Sequence, residues 1–190
     1  LSRENADLVH IRSRVPAWIA LPAAAALGIA TVSTVHGRFV AMSAFKRIYN
    51  RKLLKTDHVI AISNYVKDLI TSQYVGVEDR LTVVHRGVDI DLFNPGNVNQ
   101  TRIVNFVEGL AIPEDVPVIM LPARATMWKG HRILLQALAK IKDRPFICLM
   151  IGAGDGKPAF VSELVRLGQQ LGLEGRFRLT PLIDDMPAAL

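Results

Sequence analysis

Short apolar segments alternate with segments of helical length and spacing along the chain. The apolar segments predict strands at residues 6–11, 29–36, 58–63, 81–85, 116–122, 146–151 and 176–179. The segments between them predict helices, among them residues 17–27, 64–72, 129–141 and 158–171. Strands that alternate with helices are typical of parallel sheets covered by helices on both faces. The pattern therefore predicts an α/β fold.

Residues 87–100 interrupt this alternation. The segment reads GVDIDLFNPGNVNQ, is rich in turn-forming residues and follows neither the helical nor the strand period. It is the best candidate for a linker, and it divides the chain into residues 1–97 and 98–190. Each part is shorter than a usual doubly wound domain. We therefore predict two incomplete Rossmann-like parallel-sheet units. The first residue is Leu1 and the chain ends in DDMPAAL, which reads as the opening of a helix, so we expect a fragment.

Residues 15–35 carry no charged side chain, and a run of this length is long enough to cross a membrane as a helix. Its first part is rich in alanine, which inserts weakly, and contains Pro16 and Pro22. After Gly28, β-branched residues dominate. A helix that ends at Gly28, followed by a buried strand, explains both halves better than one spanning helix does.

The composition excludes a disordered or collagen-like chain, because half of the residues are hydrophobic and 21% are charged. The chain has 23 Lys and Arg against 17 Asp and Glu, a net charge of +6. Its single cysteine, Cys148, lies in an apolar run, where a free thiol most often fills space. No internal disulfide can form, and the composition fits a reducing compartment.

The positive charge is concentrated in the segment RFVAMSAFKRIYNRKLLK, which contains no acidic residue. Its basic residues are Arg38, Lys46, Arg47, Arg51, Lys52 and Lys55. Apolar residues recur among them with helical spacing, which predicts an amphipathic helix. The helix either packs on the sheet as an ordinary surface helix or contacts an anionic lipid or acceptor. Without clustered aromatic residues it is weak evidence for nucleic-acid binding, and we expect none.

Arg124 and Lys129 follow a predicted strand, in the segment MLPARATMWKGHRILLQAL. In open α/β sheets, ligands bind beyond the carboxyl ends of the strands, and a helix that starts there adds free N–H groups. An arginine can hold two phosphate oxygens with its planar fork, and a lysine adds a mobile charge. The two cations therefore predict a diphosphate site. The alternative is a pair of exposed surface cations.

The segment IGAGDGK contains Gly152, Gly154 and Gly156 directly after another predicted strand. Glycines allow the backbone to turn tightly and to approach a ligand closely. The spacing departs from the dinucleotide fingerprint, and no suitable acidic residue follows it, so an NAD-dependent oxidoreductase is a weak match.

His36 and Gly37 end the predicted strand in STVHGRF. A histidine at that place can donate to a substrate hydroxyl or phosphate, although a satisfied polar residue is the simpler interpretation. The histidines share no metal-ligand spacing with Cys148 or with a pair of carboxylates, so we expect no metal site.

Taken in order, several segments resemble glycosyltransferase family 4, which has the GT-B architecture. These segments are DLVHIRSRVPAW, STVHG, DHVIAISNYVKDLI, LTVVHRGVDIDLFNP, MLPARATMWKGHRILLQAL, CLMIGAGDG and LTPLIDDMPAAL. The resemblance implies two Rossmann-like domains that face a cleft. Residues 1–97 would belong to the N-terminal, acceptor-side domain. Residues 98–190 would belong to the C-terminal domain, which binds the nucleotide sugar.

The resemblance also implies retaining transfer of a sugar from a nucleotide-diphosphate sugar to a glycan or lipid-linked acceptor, in the synthesis of lipopolysaccharide or another surface glycan. Arg124 and Lys129 would hold the donor diphosphate and stabilise the charge that develops on it. His36 and Gly37 would lie near the transferred sugar. The other donor-side positions implied are Ser63, Arg86, Gly87, Gly152 and Gly154. Neither a metal nor another cofactor is implied.

Members of this family are longer and carry a glycine-rich N-terminal loop and a pair of glutamates that have no counterpart in this sequence. We therefore expect that these 190 residues do not catalyse transfer by themselves. The resemblance implies a cytoplasmic enzyme, with the basic helix at the inner face of the membrane. The alternatives are an NAD-dependent oxidoreductase and a non-catalytic, basic peripheral membrane module.

Overall fold

The computed structural model describes residues 2–37 and 43–190, and it divides the chain into two compact units, Leu1–Val88 and Asp89–Leu190. Each unit contains one parallel β-sheet. This confirms the predicted α/β fold with two parallel-sheet units. The division comes earlier than the predicted one after residue 97, because Phe93 and Val98 line a groove together with Phe106 and other residues of the second unit.

The first unit has four parallel strands in the order in which they occur along the chain. They are β1 (Leu8–Ile11), β2 (Ala30–Val35), β3 (His58–Ala61) and β4 (Leu81–Val83). The helices of this unit are α1 (Arg14–Ala26), α2 (Ala44–Arg51) and α3 (Asn64–Thr71). In register, Val35 pairs with Ala61, which pairs with Val83, so these strands end at one edge of the sheet.

The uncharged segment of the first unit forms a helix and a strand, as the sequence predicts. Helix α1 ends at Ala26, Gly28 takes a φ of +65°, and β2 begins at Ala30. The N–H of Ile29 donates to the carbonyl of Ala24 at 3.0 Å, which satisfies one of the last carbonyls of the helix. Within residues 2–37 and 43–190, no helix is long and apolar enough to cross a membrane.

The core of the first unit lies between its sheet and its helices. Val35 and Val59 from the sheet pack in one buried cluster with Leu54, Val66 and Ile70. Burial of these apolar side chains is the main favourable contribution to the stability of the unit. It also fixes the strands whose carboxyl ends carry the loops described below.

The second unit has three parallel strands, with β6 in the middle of the sheet. The strands are β5 (Val118–Met120), β6 (Ile147–Ile151) and β7 (Phe177–Thr180). The helices of this unit are α4 (Gln100–Gly109), α5 (His131–Ala139), α6 (Pro158–Gln170) and α7 (Met186–Ala189).

Strand β6 is buried along its whole length and supplies both faces of the second core. Cys148 and Met150 pack in one cluster with Leu164 from α6, whereas Leu149 packs in the other cluster with Phe106 from α4. Alternate side chains point to opposite faces of a strand, so a fully apolar strand is what a sheet covered on both sides requires. Burial raises the pKa of the Cys148 thiol to about 11. This confirms the thiol as a buried, space-filling group.

Candidate functional site

Three loops of the second unit meet at the carboxyl ends of β5, β6 and β7. They line a cavity of about 310 Å³. The lining residues are Pro122, Ala123, Arg124, Ile151, Gly152, Asp155, Leu182 and Met186. Because the strands are parallel, the loops that follow them lie side by side at one edge of the sheet, where open α/β sheets bind their ligands.

Backbone hydrogen bonds extend the sheet beyond its strands and fix the floor of this cavity. The N–H of Ala123 donates to the carbonyl of Ile151 at 2.8 Å. The N–H of Gly152 donates to the carbonyl of Pro181 at 3.1 Å. The loop that carries Arg124 is therefore held against the loop after β6, which is held in turn against the loop after β7.

Asp155 and Gly154, in the loop after β6, also contact the end of β7 and the loop after it. The Asp155 carboxylate accepts a hydrogen bond from the N–H of Leu182 at 2.7 Å. A Cβ atom on Gly154 would lie 3.0 Å from the carbonyl carbon of Thr180, so a side chain there would require the neighbouring backbone to shift. Gly154 therefore packs against the end of β7, a role that the sequence analysis did not predict. The close approach of a ligand at Gly154 stays a prediction.

Of the two predicted diphosphate ligands, Arg124 lines this cavity and Lys129 does not. The Arg124 side chain is exposed and makes no hydrogen bond or ion pair to another residue in the described part of the chain. Lys129 is exposed in a turn that its N–H closes by donating to the carbonyl of Thr126 at 3.1 Å. Helix α5 begins at His131, two residues after the predicted start, because Gly130 is its N-cap.

His131 is a part of this site that the sequence analysis did not identify. Its side chain is 1% exposed, and its Nε2 lies 3.1 Å from the carbonyl oxygen of Ala123. The Nε2–H therefore donates to the residue that precedes Arg124, and Nδ1 has no partner among the described residues. Burial lowers the pKa of His131, which keeps the ring neutral, and the hydrogen bond to the Ala123 carbonyl fixes its tautomer. Helix α5 is thereby tied to the loop after β5.

In the first unit, His36 directly follows β2 and contacts two arginines. Arg12 Nε donates to His36 Nε2 at 3.3 Å, and Arg86 Nη2 lies 2.9 Å from His36 Nδ1. Arg12 follows β1 and Arg86 follows β4, so the parallel sheet brings the three side chains to one edge. His36 and Gly37 line a cavity of about 340 Å³. The other lining residues are Arg12, Ser13, Arg14, Val15, Thr34, Val35, Tyr49 and Leu53.

The His36 imidazole is surrounded by cationic groups. Burial lowers the pKa of His36, and the positive charges of Arg12 and Arg86 and the neighbouring His10 lower it further. His10 is held in place by a contact of 2.7 Å between its Nε2 and the Thr34 hydroxyl. The His36 ring is therefore neutral at pH 7 and able to donate one hydrogen bond and accept another.

The remaining predicted donor positions are distributed between the two units. Ser63 is the N-cap of α3, and its hydroxyl accepts a hydrogen bond from the N–H of Val66 at 3.2 Å. Gly87 is exposed beside Arg86 in the first unit. Gly152 lines the cavity of the second unit. The structure thus groups Arg124 with Gly152, and it groups Arg86 with His36.

The basic segment forms helix α2 and the turn after it, and Arg38 lies outside the described residues. The Ser43 hydroxyl caps α2 by accepting from the N–H of Lys46 at 3.2 Å. Phe45 and Ile48 are 79% and 65% exposed, so part of the apolar side of the helix faces solvent. Arg47 donates to the carbonyl of Gln73 at 3.1 Å.

Another basic residue, Lys52, lies beside a pair of stacked aromatic rings. The ring centroids of Trp18 and Tyr49 lie 6.2 Å apart, and Lys52 Nζ lies 5.3 Å from the Trp18 ring. Lys46, Arg51 and Lys55 are exposed.

Residues 2–37 and 43–190 contain no group of three or more His, Cys, Asp or Glu side chains that could hold a metal ion.

The chain is similar to known glycosyltransferases in sequence and in structure. Residues 1–92 match the family model of Glycosyltransferase Family 4. A D-inositol 3-phosphate glycosyltransferase of Xylanimonas cellulosilytica is 29% identical over 130 residues, which cover 68% of this chain and 31% of that protein. The enzyme of the same name from Mycobacterium bovis is 33% identical over 104 residues, which cover 54% of this chain and 20% of that protein.

Solved structures share the fold over almost the whole chain. A glycosyltransferase from Rickettsia africae superimposes with a TM-score of 0.85 and 35% identity, covering 99% of this chain and 50% of that one. Anabaena HepE, solved in complex with UDP-glucose, superimposes with a TM-score of 0.82 and 23% identity, covering 96% of this chain and 50% of that one.

These similarities cover both units, whereas the family model covers the first. The chain spans about a third or less of the length of the curated relatives and half of the length of the solved structures. The similarity to sugar-transferring enzymes favours a glycosyltransferase over an NAD-dependent oxidoreductase. The glycine spacing after β6 is itself only a weak match to the dinucleotide fingerprint of such an oxidoreductase. Residues 1–92 thus match Glycosyltransferase Family 4, and almost the whole chain is similar to a solved glycosyltransferase.

Proposed function

We propose that the protein transfers a sugar from a nucleotide-diphosphate sugar to an acceptor, with retention of the anomeric configuration. The observation that carries this proposal is the cavity at the carboxyl ends of β5, β6 and β7, on whose wall the Arg124 guanidinium has no partner within residues 2–37 and 43–190. The UDP-glucose complex of HepE, a protein of the same fold, supports a nucleotide sugar as the donor.

In this mechanism, the second unit stabilises the leaving group. As the bond between the sugar and the diphosphate breaks, negative charge develops on the diphosphate oxygens. Arg124 can donate two parallel hydrogen bonds to these oxygens, and Lys129 on its flexible stem adds a second positive charge. Such charges accelerate a reaction most when they are positioned before it begins. The hydrogen bond from His131 to Ala123 provides this positioning for the residue beside Arg124.

The first unit would act on the transferred sugar and the acceptor. Its neutral His36 ring can hydrogen-bond a sugar hydroxyl, and Gly37 leaves the cavity open beside it because no side chain occupies that position. We propose a hydroxyl of a glycan or lipid-linked molecule as the acceptor, in the synthesis of lipopolysaccharide or another surface glycan. We further propose that the transfer needs no metal and no other cofactor.

Ligand-induced protection of the folded chain tests the donor class. We expect UDP-glucose or GDP-mannose to raise the midpoint of thermal unfolding, because a ligand that binds only the native state stabilises it. NAD at the same concentration is the control and should leave the midpoint unchanged. Protection by NAD with no effect of either sugar nucleotide would contradict the proposal. Retention is tested separately, in an enzyme that turns over, by NMR of the anomeric carbon of the product.

The exposed basic face of α2 supports a second function, peripheral binding to an anionic membrane at the cytoplasmic face. Phe45 and Ile48 would enter the headgroup region while Lys46, Arg51 and Lys55 contact anionic lipids. Arg38, Arg47 and Lys52 belong to the same proposed contact.

Vesicle sedimentation tests this second function. We expect the chain to bind vesicles that contain phosphatidylglycerol and the double variant Lys46→Glu/Arg51→Glu to lose that binding. Lys67→Glu/Lys140→Glu makes the same change in charge on exposed residues of α3 and at the end of α5, and it should leave binding largely intact. Equal binding of all three proteins would rule out the membrane contact.

A further inference from the structure

Helix α1 buries small residues and exposes large apolar ones. Its two fully buried residues are alanines, Ala17 and Ala24. Its outer face consists of exposed residues at the spacing of one helix face, Val15, Trp18, Ile19 and Pro22. A surface helix of a globular protein shows the opposite arrangement, with apolar residues inside and charged residues outside. No charged side chain lies between Arg14 and the end of the helix, so this outer face has the composition of a surface that a partner covers.

Aromatic and basic groups border the outer face of α1. Trp18 stacks with Tyr49 of α2, and Lys52 Nζ lies 5.3 Å from the Trp18 ring. Rings with an apolar body and a polar tip are enriched where a membrane meets water. Residues 8–56 contain Lys and Arg but no Asp or Glu. An anionic bilayer is both apolar and negatively charged and therefore matches this surface, whereas a second copy of the chain would bring like charges together.

A cavity of about 590 Å³ lies beside α1 at the amino end of β2. Its apolar lining comes from α1 and the turn after it, through Leu21, Pro22, Ala25 and Ile29. Lys52 and Lys55 line the same cavity and supply positive charge. Neither lysine forms an ion pair within residues 2–37 and 43–190. Apolar walls together with two cations fit the glycerol and phosphate part of a phospholipid.

Asp57 also lines this cavity, and its carboxylate is held by β2. One carboxylate oxygen accepts hydrogen bonds from the N–H and from the hydroxyl of Thr31, each at 2.7 Å. These hydrogen bonds satisfy much of the carboxylate's charge at the start of the strand. The two lysines therefore remain available to an anionic ligand.

We propose that α1 lies in the interface of an anionic membrane, with Val15 and Ile19 among the acyl chains and a phospholipid headgroup beside Lys52 and Lys55. The inference rests on the peripheral membrane binding proposed above, and it adds the helix that enters the bilayer and the site that holds the headgroup. A basic surface alone binds through charge and is released by salt. The apolar face of α1 adds buried area, so part of the binding persists at high salt.

The fluorescence of Trp18 measures whether α1 enters the bilayer. Trp128→Phe leaves Trp18 as the only tryptophan, and all proteins of the experiment carry this change. The probes are phosphatidylglycerol vesicles with and without bromine on the acyl chains. We expect the brominated vesicles to quench Trp18 and Ile19→Glu to weaken vesicle binding about tenfold or more. Ile19 is 74% exposed, and the control is Ile133→Glu on α5, where the isoleucine is 71% exposed; it should change the affinity less than about twofold.

A soluble lipid measures the headgroup site without a membrane. The probe is dihexanoylphosphatidylglycerol below the concentration at which it forms micelles. We expect a saturable change in Trp18 fluorescence, because Lys52 lies against that ring. Lys52→Gln/Lys55→Gln should weaken the affinity about tenfold. Lys67→Gln/Lys140→Gln removes the same charge from exposed residues elsewhere and should change it less than about twofold. A response that does not saturate, or equal affinities of the two double variants, would refute the headgroup site.

The outcomes separate this inference from the functions proposed above. If vesicles bind but Trp18 is not quenched and Ile19→Glu binds like the parent protein, the inference is refuted while the contact through α2 stands. If no vesicles bind, both membrane proposals are refuted, and protection by UDP-glucose still tests sugar transfer. If the chain dimerises and Ile19→Glu abolishes dimerisation, the outer face belongs to a second copy and the inference is refuted.

Discussion

The two units present sites at the same place in the fold but form them differently. In the first unit, charged side chains after three different strands converge, with Arg12 and Arg86 on the two sides of His36. In the second unit, the backbone holds the loops together and leaves one cation, Arg124, without a partner among the described residues on the cavity wall. Both sites use the carboxyl edge of a parallel sheet, where loops from neighbouring strands necessarily meet.

This difference indicates how each site should respond to substitution. We expect a site of converging side chains to lose function gradually, because each side chain would contribute only one part of it. A site fixed by backbone contacts depends on positions where a side chain would push neighbouring backbone apart, such as Gly154, and on the cation that it presents. We expect the second unit to be the more sensitive one.

The largest effect is expected from removing that cation. Arg124→Ala should weaken UDP binding by about tenfold or more and, in an enzyme that turns over, lower the rate by about a hundredfold, because it removes the donor that neutralises the leaving group. Isothermal titration and initial-rate measurements check this expectation. Lys140→Ala, an exposed cation at the end of α5, is the matched control and should change neither value. Unchanged UDP affinity in Arg124→Ala would falsify the role of Arg124.

A smaller effect, on stability, is expected at the backbone contact between Gly154 and Thr180. Gly154→Ala should lower the free energy of unfolding of the second unit by about 1–3 kcal/mol, because the new methyl group would meet the backbone of Thr180. Denaturant unfolding measures it. Gly109→Ala, at the end of α4 with open space around it, is the control and should be neutral or slightly stabilising. Equal stability of the two variants would mean that the backbone contact at Gly154 is not essential.

The smallest effect is the pH dependence of the free energy of unfolding that arises from the imidazoles of His36 and His131. The pKa of His36 and that of His131 are both lowered in the folded state. The unfolded chain therefore binds protons more readily, so the stability that these groups contribute is complete above about pH 6.5 and is lost as the pH falls through their folded-state pKa values. We expect the free energy of unfolding to fall by about 1 kcal/mol or less for each group between about pH 7 and pH 5.

Salt distinguishes the two imidazoles. Besides burial, arginine charges contribute to the lowered pKa of His36, whereas the pKa of His131 is lowered by burial and raised by a hydrogen bond, with no contribution from a charged group. Raising the salt concentration screens the exposed arginines. NMR titration should therefore show the pKa of His36 rising with salt and that of His131 remaining constant. A salt-independent pKa at His36 would argue against the cationic surroundings of the first site.

Much of the fold could be predicted from the sequence. The change from alanine-rich to β-branched residues at Gly28 predicts both the end of α1 and the start of β2. The fully apolar run at residues 146–151 predicts a strand buried on both faces. Helix α4 is not predicted because it follows directly on the turn-rich segment, although Asn99 caps it by accepting a hydrogen bond from the N–H of Arg102.

The candidate site could be predicted only in part. The position of Arg124 after a strand was enough to place it at a ligand-binding edge. Lys129 could not be separated from Arg124 by spacing alone, because the turn at residues 126–129 decides which side chain lines the cavity. His131 gave no signal at all, because its function comes from a contact with a carbonyl of the preceding loop.

The sequence alone determined the α/β class, the extent of most strands and the residues that follow them, because hydrophobic periodicity and glycine positions act over a few residues. The tertiary structure alone decided that Arg12, His36 and Arg86 meet, since 24 and 50 positions separate these partners along the chain. It also decided that Gly154 packs closely against Thr180 and that a buried imidazole holds the loop beside Arg124. Contacts between distant residues depend on the order and register of the strands, which no local pattern specifies.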